Sequence, residues 1–240
     1  MKKLGLAIAF AAISSTAFSQ SAFSGFYGQL STGYESNSVT NSQNASIYRP
    51  GGALAVQDSR NNSYSSNSSP LVMGAGYFWD VKDSYLLGIG ADYSIPPSST
   101  NTVVTANSRS FGTFTTPGLS NQFKISNRYN IYVTPAYAID KDKLAYIKAG
   151  YSNQNVGLMV SNSNGGGGNK TTSTSGYILG LGYKQMIAKG IYGFAEYNYM
   201  KYSNANLGNS GSIAGGASWA ASSSASSNAY NFLIGVGYAF

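Results

Sequence analysis

Six charged residues have the type and spacing to do chemistry together. Asp92, Lys124, Arg128, Lys148, Lys184 and Glu196 fall on the polar parity of stretches that otherwise alternate with apolar residues, and Glu35 lies on the same kind of position near the end of another stretch. Lys148, Lys184 and Glu196 occupy three consecutive stretches, each a few residues from a tight turn, so they can meet in one cluster. Asp92 and Arg128 sit on neighbouring stretches at comparable heights. Inside a narrow closed sheet such charges have to pair, because an unpaired buried charge is costly. One outcome is a salt-bridged plug that rigidifies the structure. The other is a constriction with a basic lining, favouring anions.

Other chemistry finds little support. Histidine is absent, so the usual base for activating a serine at neutral pH is missing. Cysteine is absent too, which excludes disulfides and thiolate metal sites. The glycine pairs of GLG at 180–182 and GVG at 235–237 lack the strand-to-helix context of a nucleotide fingerprint. NGGGGNK at 164–170 reads as a loop tip, and Asp140 and Asp142 as a solvated turn rather than a calcium site. The expectation is a chain with no catalytic, cofactor or metal site, and no enzyme. Its net charge of +7 is scattered, without the footprint of nucleic-acid binding.

The elements that position these residues are strands. Residues 1–19 read as a secretory signal: Lys2 and Lys3 precede an apolar run that ends at Ile13, and Ala17 and Ser19 prepare cleavage before Gln20. The remaining domain, 20–240, carries many aromatics among 20 Tyr and 11 Phe, yet only 10% of the chain is charged, against about 25% in ordinary soluble domains. Eight stretches alternate with period two: 24–36, 70–80, 85–95, 122–139, 144–154, 175–187, 190–203 and 228–240. The connections after the second, fourth and sixth are tight (DVKDS, DKDK, AKG). Those after the others, at 37–69, 96–121, 155–174 and 203–228, are long and rich in Ser, Asn, Thr and Gly, and read as loops.

Regular alternation of short and long connections marks a transmembrane barrel, with turns in the periplasm and loops outside. Ten residues at about 3.3 Å each, tilted about 40°, span roughly the 25 Å apolar band. In lipid only a closed sheet pairs every backbone group, so the last strand, NAYNFLIGVGYAF, has to pair with the first. Trp79, Tyr85, Tyr137, Tyr238 and Phe240 fall at the level where aromatic rings favour the membrane interface. The fold class expected is therefore all-β: an eight-stranded antiparallel up-and-down transmembrane barrel.

The stretches FSGFYGQLSTGY, AYIKAGYS, GYILGLGYKQMI, GIYGFAEYNYMKYS and LIGVGYAF resemble the small bacterial outer-membrane β-barrels of the OmpA/OmpX-like, "porin family" group. The resemblance implies a bacterial outer-membrane location amid lipid and lipopolysaccharide. It also implies that Tyr238 and Phe240 form a C-terminal signal for the barrel-assembly machinery. A closed barrel needs no subunit interface, so a monomer is expected. The role expected is structural, in a surface protein with a lumen plugged by charged side chains. The rivals are a narrow, weakly anion-preferring pore and an adhesin acting through the outer loops.

Overall fold

The structure is a computed structural model that describes residues 21–240 apart from 96–97, 100–102, 107–108, 112–113, 117–118, 163–166 and 214. The segment expected to be a signal, 1–19, lies outside the described residues. Eight strands form a closed ring: β1 (Gly25–Tyr48), β2 (Leu71–Lys82), β3 (Tyr85–Ile95), β4 (Leu119–Asp140), β5 (Lys143–Asn162), β6 (Gly167–Ala188), β7 (Ile191–Tyr202) and β8 (Ala217–Ala239). Each pairs antiparallel with its neighbour in sequence, and β8 closes on β1 with Tyr27 opposite Ala239 and Leu30 opposite Val236. Tight turns join β2 to β3, β4 to β5 and β6 to β7. In the last of these Gly190 takes φ 76°, a conformation that glycine adopts without steric cost.

Near the turns, the alternation puts apolar side chains outside. Phe26 and Leu30 on β1, Ile131 and Val133 on β4, and Phe232, Ile234 and Val236 on β8 are all exposed. Exposed aromatics rim this belt on both sides. Trp79, Tyr85, Tyr137, Tyr183 and Tyr238 lie toward the turns, and Tyr34, Tyr93, Tyr129, Tyr151, Tyr177 and Tyr230 toward the far end. The second rim runs from strand to strand: Tyr93 faces Tyr129, Tyr151 faces Tyr177, and Tyr199 faces Tyr230.

Beyond the second rim the strands continue and their polarity inverts. On β1 the buried face passes from Tyr27, Ser31, Glu35 and Asn37 to Val39, Ala45 and Ile47, while the outer face passes from Phe26, Leu30 and Tyr34 to Thr40, Ser42 and Asn44. On β8 the buried face carries Ala217, Trp219, Ala221 and Ala225, and Ser218 and Ser222 lie outside. The same strands thus pass from an apolar outer face around buried polar and charged side chains to a polar outer face around an apolar interior. Two more strands flank this extension: Leu54–Ser68 pairs with the upper part of β1, and Ala205–Ile213 with the upper part of β8.

This corrects the expectation of four long loops. Most described residues of 37–69, 155–174 and 203–228 are strand, and β1 alone has 24 residues. The Ser/Asn richness belongs to a water-facing sheet face, whose inner partners are small apolar residues such as Ala45, Ala221 and Ala225.

A second correction concerns Lys124. Asn127 takes φ 49°, and the β4–β5 register shifts there, with Asn153 opposite Tyr129 but Asn155 opposite Ser126. This bulge adds one residue to β4 and exchanges its faces. Arg128, Asn130 and Tyr132 point inward below it, whereas Phe123 and Ile125 point inward above it. Lys124 is therefore exposed on the outer face and does not line the lumen.

Candidate functional site: the barrel lumen

The inward faces of the ring stack three layers of side chains. At the turn end lies an aromatic and aliphatic floor of Phe23, Tyr27, Phe78, Leu86, Leu144, Tyr146, Tyr192 and Phe194. Glycines on neighbouring strands make room for its rings. A Cβ at Gly182 would overlap the Tyr146 ring, one at Gly237 the Tyr192 ring, and one at Gly88 the Phe78 ring. The glycine parity of the sequence is thus the seat of the aromatic side chains.

The middle layer is an ion cluster on four strands. Lys148 Nζ donates to Asp92 Oδ2 at 2.8 Å and to Glu196 Oε1 at 3.0 Å, and lies 3.9 Å from the centre of the Tyr132 ring. The second oxygen of Glu196 accepts from the Tyr146 hydroxyl at 2.7 Å, and Asn198 Nδ2 donates to Oε1 at 2.7 Å. Asn130 Nδ2 donates to the other oxygen of Asp92. All three charged side chains are at most 4% exposed, and the ammonium and each carboxylate oxygen has a hydrogen-bonded partner that offsets part of its desolvation.

Above it, Arg128 binds Glu35 through Nη1, and its Nη2 donates to Asn37 Oδ1 at 2.9 Å and Gln154 Oε1 at 3.0 Å. Asn37 Nδ2 in turn donates to Glu35 Oε1 at 2.7 Å, and Gln154 Nε2 to Ser227 Oγ at 2.8 Å. Lys184 stands apart from the ion cluster, among rings of the floor. It is buried but touches no carboxylate among the described residues.

Of the inward charges read from the sequence, the structure brings Lys148, Asp92 and Glu196 together. Arg128 pairs with Glu35 rather than with Asp92, Lys184 sits in its own aromatic surroundings, and Lys124 is outside. The aromatic partners Tyr27, Phe78, Tyr132, Tyr146 and Tyr192 escaped the sequence reading. Their signal was an aromatic residue on the glycine-bearing parity, opposite a glycine of the next strand. Tyr146 opposite Gly182 and Tyr192 opposite Gly237 are the plainest cases.

Outside the lumen, Asp140 accepts from Lys143 Nζ at 2.8 Å and from the Asp142 amide at 2.9 Å in the turn. The Lys143 ammonium holds the Asp140 carboxyl below its ordinary range. At the chain end, the Phe240 amide donates to Phe26 O at 2.9 Å, and the Tyr238 and Phe240 rings meet edge to face at 4.9 Å. The last residue is thereby tied to β1.

A closed antiparallel ring with an apolar belt between two aromatic rims defines a membrane-spanning β-barrel. No protein-family model matches the chain, and no curated protein sequence matches it. Among solved structures it is similar to Ail, the attachment invasion locus protein of Yersinia pestis, at 14% identity over 87% of this chain and 99% of that one, with a TM-score of 0.35. It is similar to the outer membrane protein OprG from Pseudomonas aeruginosa at 13% identity over 92% and 98%, with a TM-score of 0.46. It is also similar to the outer membrane protease OmpT from Escherichia coli at 9% identity over 90% and 97%, with a TM-score of 0.46. At these identities no ligand, activity or partner passes from these proteins to this chain.

Proposed function

We propose that this chain is a non-enzymatic, integral outer-membrane protein whose barrel is a closed, non-conducting scaffold for a rigid β-extension on the cell surface. The observation that carries the reading is the filling of the ring. An aromatic floor, the Asp92–Lys148–Glu196 cluster and the Arg128–Glu35 pair lie one above another, and an apolar upper core from Val39 to Ala225 follows them. An eight-stranded ring is just wide enough for side chains to fill.

The turns then face the periplasm and the extension faces outward, with the belt in lipid and the wall above it among lipopolysaccharide sugars. The C-terminal strand, ending at Tyr238 and Phe240, is the part that the barrel-assembly machinery would engage. Ion conductance of the refolded, signal-free protein in a planar bilayer tests the closed lumen. A silent bilayer, with insertion verified separately, is the expected result. Discrete conductance steps with anion preference would replace the scaffold by the narrow-pore reading.

A second reading, surface binding, is favoured by the wall itself. Thr40, Ser42, Asn44, Ser59, Ser63 and Ser222 form an outer face of short, uncharged hydroxyl and amide side chains, in register across three strands. Long sheet faces held on a rigid barrel are suited to contact with other surfaces. Truncating the extension at Asn37–Asn67 and Ser203–Asn228 would abolish attachment of cells to a surface if the protein is an adhesin, and leave it unchanged otherwise.

A further inference from the structure

Among the described residues, Lys184 is the one lumen cation whose ammonium finds aromatic rings in place of a carboxylate. Its Nζ lies 4.0 Å from the centre of the Tyr27 ring, 4.6 Å from Tyr192, 5.1 Å from Phe78 and 5.6 Å from Tyr146. It also donates to Gln29 Oε1 at 3.2 Å and to the Tyr192 hydroxyl at 3.3 Å. A ring face within about 6 Å of an ammonium attracts it through the ring quadrupole, and more strongly where water is excluded. Several such faces around one cation make the kind of cage that recognises alkylammonium ligands.

Two further features fit a cation in this seat. The cage is supplied by β1, β2, β5 and β7 while the lysine comes from β6, so one ammonium links five of the eight strands. Directly beyond it, two carboxylates share the single ammonium of Lys148. That cluster keeps one negative charge, which a cation in the cage balances. Counting Arg128 with Glu35, the buried charges of the lumen then cancel.

We propose that the turn-side half of the lumen is an alkylammonium-binding site that the barrel fills with its own Lys184 side chain. Emptied of that side chain, the cage takes a small primary ammonium ion from solution. The lysine is thus a tethered ligand, and its charge matters more than the volume it occupies.

Lys184→Ala removes the equivalent of n-propylammonium and leaves the cage in place. The test compares the unsubstituted signal-free protein, Lys184→Ala and Lys184→Met, each refolded in detergent micelles with n-propylammonium chloride, or with n-propanol and sodium chloride at matched concentrations. The Lys184→Ala midpoint for urea unfolding should rise with n-propylammonium and not with n-propanol. Lys184→Met, which restores the volume without the charge, should unfold at lower urea than the unsubstituted protein and respond to neither additive. The unsubstituted protein, its seat taken, should respond to neither as well. A full midpoint for Lys184→Met, or equal effects of the two additives on Lys184→Ala, would overturn the proposal. Where Lys184→Ala does not fold alone, the readout is the folded fraction after refolding, which should be higher in n-propylammonium than in n-propanol. Equal fractions would again overturn it.

Discussion

Glu196 shows at the residue scale what a buried carboxylate does in this lumen. It takes a salt bridge from Lys148, a hydroxyl from Tyr146 and an amide from Asn198. Replacing it by glutamine keeps the shape but leaves Lys148 and Lys184 with an unbalanced positive charge. Breaking a buried pair from one side costs about 3–5 kcal/mol. Glu196→Gln should therefore lower the urea midpoint in micelles clearly, and a midpoint equal to the unsubstituted protein would remove the cluster from the account. Apart from Lys124, the lumen charges were legible in the sequence, because parity assigns a face wherever no bulge intervenes. Their partners were less so. Whether Arg128 meets Asp92 or Glu35 depends on the tilt and stagger of strands around the ring, which no single stretch encodes. The same holds for the cage around Lys184, whose rings come from four strands far apart in sequence.

At the scale of the element, β4 carries the clearest lesson. Its apolar residues share one parity from Phe123 to Val133, so the pattern alone puts all of them toward lipid. The bulge at Asn127 divides that run, sending Phe123 and Ile125 into the upper core and Tyr129, Ile131 and Val133 outward. The Asn127 side chain is held from outside, accepting from the Tyr93 hydroxyl at 3.0 Å. Deleting Asn127 would return the strand to a single parity, turning Lys124 inward and Phe123 and Ile125 to solvent. The expected result is a barrel that still inserts, but whose extension loses its resistance to protease. Unchanged resistance would mean that the bulge does not set the register. The upper strands resemble loops in the sequence for a related reason. Ser and Asn outside, with Ala and Val inside, give a shallow alternation that is easily taken for loop composition, whereas the belt alternates between Gly or Lys and large apolar residues.

For the whole molecule, hydropathy turns inside out at the tyrosine rim. Below it an exposed Leu30 backs onto polar neighbours; above it a buried Ile47 lies behind Asn44 and Ser46. No single environment suits both halves. Lipid around the lower belt and water around the upper wall satisfy each of them. That boundary explains why the aromatic rings gather where they do, and why β1 and β8 are about twice as long as the belt requires. It was only half visible in the sequence, where the lower belt stood out and the upper barrel did not. The absence of cysteine makes the boundary directly measurable. Single-cysteine variants at Leu30, Ile234, Ser42 and Ser222 would be expressed in a Gram-negative host and exposed, on intact cells, to a membrane-impermeant maleimide. Rapid labelling of Ser42→Cys and Ser222→Cys is expected, and none of Leu30→Cys or Ile234→Cys. Labelling at the two belt positions, or silence at the two wall positions, would contradict the boundary.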